Sequence, residues 1–179
     1  DLYCNAGMYL VDLKKWREEK VEDKIIKRIH EQNGNVFFFE QTLMNWSCSG
    51  KILQLPPKYN AYTLFWAFTY KNLICWRKPN AFYLESEVEE AKDNPIIIHF
   101  TRNFYMLSRP WIKGCDHPKT KEYVKYKLLT PWKQLEEDNR SKKSIRRYKL
   151  WHIIPQRILA IGAGVIYNEV RPKLWWKNE

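Results

Sequence analysis

Residues 5–19 read NAGMYLVDLKKWREE, and the order of residue types within them points to the fold class. Met8 to Val11 make a short apolar run consistent with a buried strand. Asp12 follows in the position of a helix N-cap, where a carboxylate accepts hydrogen bonds from the unpaired backbone N–H groups of the first turn. From Leu13 the period changes. Leu13, Trp16, Ile25, Ile26 and Ile29 recur at three- and four-residue steps among Lys, Arg and Glu, which predicts a helix with one apolar face. Asn33-Gly34 ends it, because Gly tolerates the left-handed backbone that a helix C-terminus often needs. Strand, cap, helix and stop in that order belong to an α/β protein.

Working outward, Val36–Phe39 is a second short apolar run, and residues 40–45 open a short helix with polar groups at its entry. Lys51–Leu55 is a third strand candidate, closed by Pro56-Pro57, which removes backbone donors and forces an extended exit. The aromatic stretch 61–78 reads as core. Ser86–Ala91 predicts a helix ended by Asn94-Pro95, and the β-branched run Ile96-Ile97-Ile98-His99-Phe100 predicts a strand. Ser141 caps a helix running to Ile154, stopped by Pro155. Ile145, Tyr148, Trp151 and Ile154 fall three apart there, while Lys142, Lys143, Arg146, Arg147 and Lys149 lie mostly off that line. The apolar stretch Ile158–Ile166 is too short to span a bilayer.

The chain has 179 residues, 45% of them hydrophobic, which excludes disorder as the whole answer. Its formal charge of +11 is unevenly spread. Residues 1–108 carry 14 basic and 13 acidic side chains, whereas residues 109–179 carry 17 basic and 7 acidic. In that second part basic residues alternate with Trp111, Tyr123, Tyr126, Trp132, Tyr148, Trp151, Trp175 and Trp176. Clustered positive potential attracts phosphates and anionic headgroups, so an anionic partner is expected. Cys4, Cys48, Cys75 and Cys115 show no zinc or disulfide spacing and fit a reducing cytoplasm; Cys115-Asp116-His117 reads as a turn before Pro118.

Several short groups have residue types that carry chemistry. His99 ends a buried strand, where open α/β sheets bind ligands, although a single His is more often structural. Glu40-Gln41 sets a carboxylate beside an amide at a helix entry, suited to a polyhydroxylated ligand or simply to a first helical turn. Asn5-Ala6-Gly7 lets a ligand approach the backbone closely, or makes an ordinary turn. Arg109-Pro110-Trp111 joins a phosphate-binding side chain to a rigid aromatic turn in which Trp111 is either exposed or core.

Taken in chain order with Leu55-Pro56-Pro57-Lys58-Tyr59-Asn60, Ile97-Ile98-His99-Phe100-Thr101 and His117-Pro118, these groups closely resemble the second half of retaining glycosyltransferases of family 8, over about residues 1–132. The resemblance implies an α/β, partial GT-A (nucleotide-diphosphosugar transferase) fold over 1–132, with a basic, aromatic-rich helical tail over 133–179. It implies a retaining hexosyltransferase using a nucleotide-sugar donor, a UDP-hexose as a rule, held through Mn2+. The acceptor is a saccharide or lipid-linked saccharide of the lipopolysaccharide or capsule kind.

Carried over by position, His99 is the metal ligand. Glu40 and Gln41 contact the transferred sugar near its anomeric carbon and are the catalytic pair. Asn5, Ala6 and Gly7 line the sugar pocket, and Arg109 or Arg102 binds the pyrophosphate, with Arg109 preferred because its Pro-Trp is retained. The sequence departs from the family pattern in three ways. Glu40 replaces Asp, the loop after His99 is four residues longer, and no Asp-x-Asp occurs in the 179 residues. The metal site is therefore incomplete in this chain, which begins at Asp1 within a few residues of an apolar run and is expected to be the C-terminal portion of the domain, inactive alone. The basic tail is expected to hold the protein at the anionic, cytoplasmic face of a membrane. The competing expectation is a non-catalytic basic module for nucleic acid or another polyanion, for which no recognised signature exists; nucleic acid is not favoured.

Overall fold

In the computed structural model, which describes residues 3–79, 81–170 and 173, Asp12 caps helix α1 (Leu13–Glu18) as its sequence position requires. Its Oδ1 accepts from the backbone N–H of Lys14 at 3.0 Å and of Lys15 at 3.1 Å. The single expected helix is broken in two. Lys20 adopts a left-handed conformation, φ 50°, and α2 (Val21–Glu31) starts beyond it. No apolar residue lies between Trp16 and Val21 to continue one face, so each helix packs its own side chains. Asn33 and Gly34, both at positive φ, end α2 as expected.

The apolar runs at Met8–Val11 and Lys51–Leu55 are not strands. Among the described residues neither has a partner strand, and an unpaired extended segment gains no ladder hydrogen bonds. Val36–Phe39 is a turn, with Phe38 and Phe39 at positive φ, and it delivers the chain into α3 (Glu40–Ser47). These elements belong to one compact unit, Asp1–Pro56, in which α2 packs on α3.

The second unit is Pro57–Glu179. A 3₁₀ turn (Pro57–Asn60) leads into β1 (Ala61–Tyr62), followed by α4 (Leu64–Ala67), α5 (Tyr70–Arg77), α6 (Glu85–Asp93) and β2 (Ile98–His99). The two strands pair in parallel, Ala61 with Ile98 and Tyr62 with His99, after the long helical crossover that parallel pairing needs. Only two residues of the Ile96–Phe100 run join the ladder. The aromatic stretch is the core, as expected: Phe65, Phe68, Leu73 and Trp76 pack with Val88 and Ala91 of α6. The larger of these side chains, such as Phe65, Leu73 and Val88, contribute about 1.5–3 kcal/mol each when buried. The described architecture is thus mixed, mostly helical with a small parallel sheet.

Beyond it come α7 (Thr120–Lys127), α8 (Lys142–Ile153) and α9 (Gln156–Val165), which continues as a π turn through Val170. Ser141 Oγ accepts from Ser144 N at 3.3 Å, confirming the expected cap, and Pro155 separates α8 from α9. Trp175 and Trp176 lie outside the described residues. The expected division at residue 132 falls inside the second unit, because α9 packs along α5 and joins the tail to the core. Gln156 clamps that contact. Its Nε2 donates to Ala67 O at 2.9 Å and its Oε1 accepts from Asn72 Nδ2 at 2.7 Å. At the other end Asn168 Nδ2 donates to Trp76 O at 2.9 Å. Among the described residues no single helix is long and apolar enough to cross a membrane; α8 meets the segment Gln156–Val170 at a 112° bend.

Gly164 sets the α5–α9 distance. A Cβ there would sit 3.0 Å from Cys75 O and 3.3 Å from Trp76 O, whereas one at Gly162 meets nothing within 4 Å. Gly164→Val is expected to destabilise the fold by roughly 1–3 kcal/mol. Gly162→Ala is expected to stabilise it by up to about 1 kcal/mol. Denaturant unfolding of the two variants checks the contrast.

His117 is the buried residue that the turn reading of Cys115–His117 missed. It is 3% exposed, wedged edge-on between Trp66 at 4.9 Å and Phe100 at 4.7 Å. Its Nδ1 accepts from Lys119 N at 3.1 Å, so the proton is on Nε2, which is buried without a partner. Burial, with help from Lys119, pushes its pKa down from 6.5 to about 4. The unfolded chain therefore binds this proton first as pH falls. The stability that neutral His117 supplies is complete above pH 6.5 and declines through the window down to about 4. Unfolding midpoints measured across that window are expected to fall, and to fall less in His117→Phe.

Candidate functional site

In the first unit, α3 holds the turn at residues 5–7. Asn45, buried on its inner face, accepts from Cys4 N at 2.6 Å and donates to Cys4 O at 2.8 Å and to Gln41 O at 2.7 Å. Gln41 Oε1 accepts from Asn5 Nδ2 at 3.2 Å and from Ala6 N at 3.1 Å, and Asn5 Oδ1 accepts from Gly7 N at 2.7 Å. The structure thus brings Asn5, Ala6, Gly7 and Gln41 together. Glu40 begins α3 exposed, close enough to Tyr9 to help burial push that phenol up to about 12. The amide oxygen of Gln41 is engaged in fixing the turn. What Gln41 offers a ligand is its Nε2, which has no partner among the described residues.

In the second unit, His99 ends β2, and its carbonyl accepts from Thr63 N at 3.2 Å and from Thr101 N at 2.8 Å. Its Nδ1 lies 3.0 Å from Asn60 Oδ1. A carbonyl oxygen only accepts, so Nδ1 carries the proton and Nε2 keeps its lone pair. Burial lowers the His99 pKa, which favours the neutral ring near neutrality. A neutral imidazole held through Nδ1–H, with Nε2 open, is the arrangement that metal-ligating histidines adopt. His99 fits a metal ligand on this ground. Among the described residues no three His, Cys, Asp or Glu side chains are grouped to hold a metal, so it would be one ligand of a larger set.

Arg102 and Arg109 open onto one cavity of about 540 Å³ between the loop after β2 and the N-terminal half of α8. Arg140, Arg147, Ser141 and Ser144 complete its polar side. Arg109 Nε and one Nη of Arg140 are buried without a hydrogen-bond partner, although Arg140 Nε donates to Lys113 O at 3.2 Å. The Arg109 guanidinium also lies over Trp111, 5.5 Å from the ring. Unpaired buried donors on converging guanidinium groups are costly unless an anion satisfies them. His99 is not a wall of this cavity.

Sequence reading missed three of these positions. Asn60 was visible only as the end of Leu55–Asn60, and nothing local tied it to a His 39 residues away. Arg140 and Arg147 were counted in the basic tail, and only the placement of α8 beside the 102–112 loop makes them walls of this cavity. The excess of basic over acidic residues after Arg109 was the signal available.

The glycosyl transferase family 8 model matches residues 1–113. The lipopolysaccharide 1,2-glucosyltransferase of Escherichia coli is 30% identical over 171 residues, covering 92% of this chain and 45% of that protein. General stress protein A of Bacillus subtilis is 26% identical over 132 residues, 73% of this chain and 42% of the relative. A putative glycosyltransferase of Haemophilus influenzae is 32% identical over 78 residues, 43% of this chain and 24% of that protein. The chain thus spans less than half the length of these relatives. No solved structure matches. With the family model covering more than half of its residues, this chain belongs to glycosyl transferase family 8.

Proposed function

We propose that this chain is the C-terminal portion of a retaining hexosyltransferase of GT-A layout, and that it contributes half of a nucleotide-sugar site. The observation that carries the reading is the cavity lined by Arg102, Arg109, Arg140 and Arg147, in which Arg109 Nε and one Nη of Arg140 are buried and unpaired. Such a cavity suits the two phosphates of a UDP-hexose. When the leaving group departs, negative charge grows on its β-phosphate, and fixed guanidinium donors stabilise that charge more in the transition state than before it. His99 would ligate the divalent metal, Mn2+ in this reading, through Nε2. When bound, the metal supplies Lewis-acid neutralisation of the pyrophosphate.

The first unit would serve the transferred sugar. Glu40 provides the carboxylate for positive charge developing at the anomeric carbon, and the Gln41 amide hydrogen-bonds a hydroxyl while its oxygen holds Asn5 and Ala6 in place. The acceptor would be a saccharide or lipid-linked saccharide. The name of the Escherichia coli relative, with which the chain shares 30% identity, supports a lipopolysaccharide or related surface glycan.

The C-terminal helices support a place at the inner face of the membrane. Leu150, Ile153, Ile158 and Ile161 are exposed around the α8–α9 bend, with Ile153 78% accessible, beside exposed Lys142, Lys143, Arg146 and Lys149. Apolar insertion next to cations is what an anionic bilayer binds, at about 1 kcal/mol per Lys or Arg near the surface.

Three measurements test this reading. Calorimetric titration of UDP is expected to show binding that Arg109→Ala weakens about ten-fold or more; equal affinity in wild type and variant would remove the phosphate role. The 179-residue chain alone has no Asp-x-Asp and is expected to hydrolyse no UDP-sugar, so hydrolysis that disappears in His99→Ala would contradict its incompleteness. For the tail, sedimentation with phosphatidylglycerol vesicles is expected to exceed that with phosphatidylcholine vesicles and to fall in Ile153→Ser. Tight single-stranded RNA binding with indifference to either vesicle would favour the polyanion module instead.

A further inference from the structure

A second cavity in the same unit, of about 390 Å³, differs in chemistry from the arginine-lined one. Its walls are the rings of Trp111, Tyr123, Tyr126 and Trp132, and the carboxylate-bearing Glu136 and Asp138 stand at the same opening. Its size is within the range of ~300–1,000 Å³ usual for small-molecule sites. Core packing does not explain these rings. Trp132 and Tyr126 are each 64% exposed, and only Trp111 and Tyr123, with centroids 5.9 Å apart, are partly covered.

The frame around the rings is fixed by backbone bonds. Asp138 N donates to Trp111 O at 2.9 Å and Lys113 N donates to Asp138 O at 2.9 Å, so the strap carrying the acids is bridged to the Trp111 turn. Lys127, the last residue of α7, donates through Nζ to Leu135 O and so ties the helix to the same strap. Thr130 Oγ1 donates to Lys127 O at 2.8 Å and accepts from Trp132 N at 3.2 Å, which sets the Trp132 turn. Neither the Glu136 nor the Asp138 side-chain carboxylate makes a hydrogen bond or ion pair with any described residue. Two acceptor groups without partners therefore flank exposed aromatic faces in a preformed recess.

We infer that this aromatic cleft is a saccharide subsite, which holds the acceptor sugar of the proposed transferase. A pyranose ring presents an apolar C–H face that stacks on an indole or phenol ring and a rim of hydroxyl donors that a carboxylate accepts pairwise. The nucleotide end of a donor does not belong here, because two carboxylates repel phosphate. Position supports the acceptor assignment. The Trp111 ring that lines the cleft is the ring over which Arg109 lies, and Arg109 lines the proposed phosphate cavity. One Arg–Trp pair thus separates a place for phosphates from a place for a neutral sugar. The acceptor assignment rests on the transferase reading, whereas the saccharide chemistry of the cleft does not.

The test is ligand-observed saturation-transfer NMR with lactose and methyl α-D-glucopyranoside, on wild type, Trp132→Ala, Tyr126→Ala and Glu136→Gln, with choline as the competing probe and UDP titrated in parallel. At least one saccharide is expected to bind wild type and to weaken roughly ten-fold in Trp132→Ala and several-fold in Glu136→Gln, with UDP affinity unchanged. These side chains are at the surface, and circular dichroism of each variant verifies that the fold is kept. No saccharide binding, or binding equal in wild type and Trp132→Ala, overturns the inference. So does choline bound in preference to both sugars, which would make the cleft a cation cage. Trp132-dependent sugar binding in a protein that binds no UDP would leave the cleft standing and remove the transferase reading. UDP binding that depends on Arg109, with no Trp132-dependent sugar binding, would do the reverse.

Discussion

Two residues of parallel pairing carry much of the second unit. Ala61 N donates to Ile97 O at 2.9 Å and Thr63 N to His99 O at 3.2 Å, which closes the crossover through α4, α5 and α6 over the aromatic core. The same register sets Asn60, one residue before β1, beside the imidazole of His99, at the end of β2. A slip of one residue would turn the His99 side chain to the other face and lose the hydrogen bond that fixes its tautomer. So short a ladder is stable only because Phe65, Val88 and Ala91 are fully buried against it, a tertiary contribution that outweighs the few bonds of the sheet.

The second constraint is the close approach of α9 to α5. Gly164 permits it, and Gln156 and Asn168 fasten its two ends by hydrogen bonds to backbone and side chains of the core helices. Fixing α9 also sets where α8 begins its bend, and α8 carries Arg147 into the arginine-lined cavity while leaving Leu150 and Ile153 outward. The positive charge of the C-terminal part therefore has two destinations. Arg140 is half-buried and Arg147, though exposed, lines the same cavity as Arg109, whereas Lys142, Lys143, Arg146 and Lys149 lie on the surface away from it.

Local signals were legible in the sequence. Asp12, Ser141, Asn33-Gly34 and Pro155 act through their own backbone neighbours, and each marks a helix boundary as read. Strands were not, because Met8–Val11 and Lys51–Leu55 had the apolar composition of strands but no partner among the described residues, and a ladder is a non-local property. The helix over 13–29 was read as one because its apolar period was counted across the charged gap at residues 17–20. Of the site, the residue types at Asn5–Gly7, Gln41, His99, Arg102 and Arg109 were readable. Their hydrogen bonds were not, since Gln41 reaches back 36 residues to Asn5 and Asn60 forward 39 to His99. The aromatic residues after Arg109 were read only as alternating with basic ones in a segment expected to meet an anionic partner. The acidic run Glu136-Glu137-Asp138 was the available hint that part of that segment has another ligand.

The state of His99 joins the fold to the proposed chemistry, and long-range ¹H–¹⁵N NMR of its ring measures that state. A proton on Nδ1 with Nε2 unprotonated is expected in the free protein. Addition of Mn2+ with UDP to the intact protein is then expected to broaden the His99 ring signals ahead of those of His30 and His152. A proton on Nε2, or His99 signals that stay sharp when Mn2+ and UDP bind, would contradict the assignment of His99 as the metal ligand.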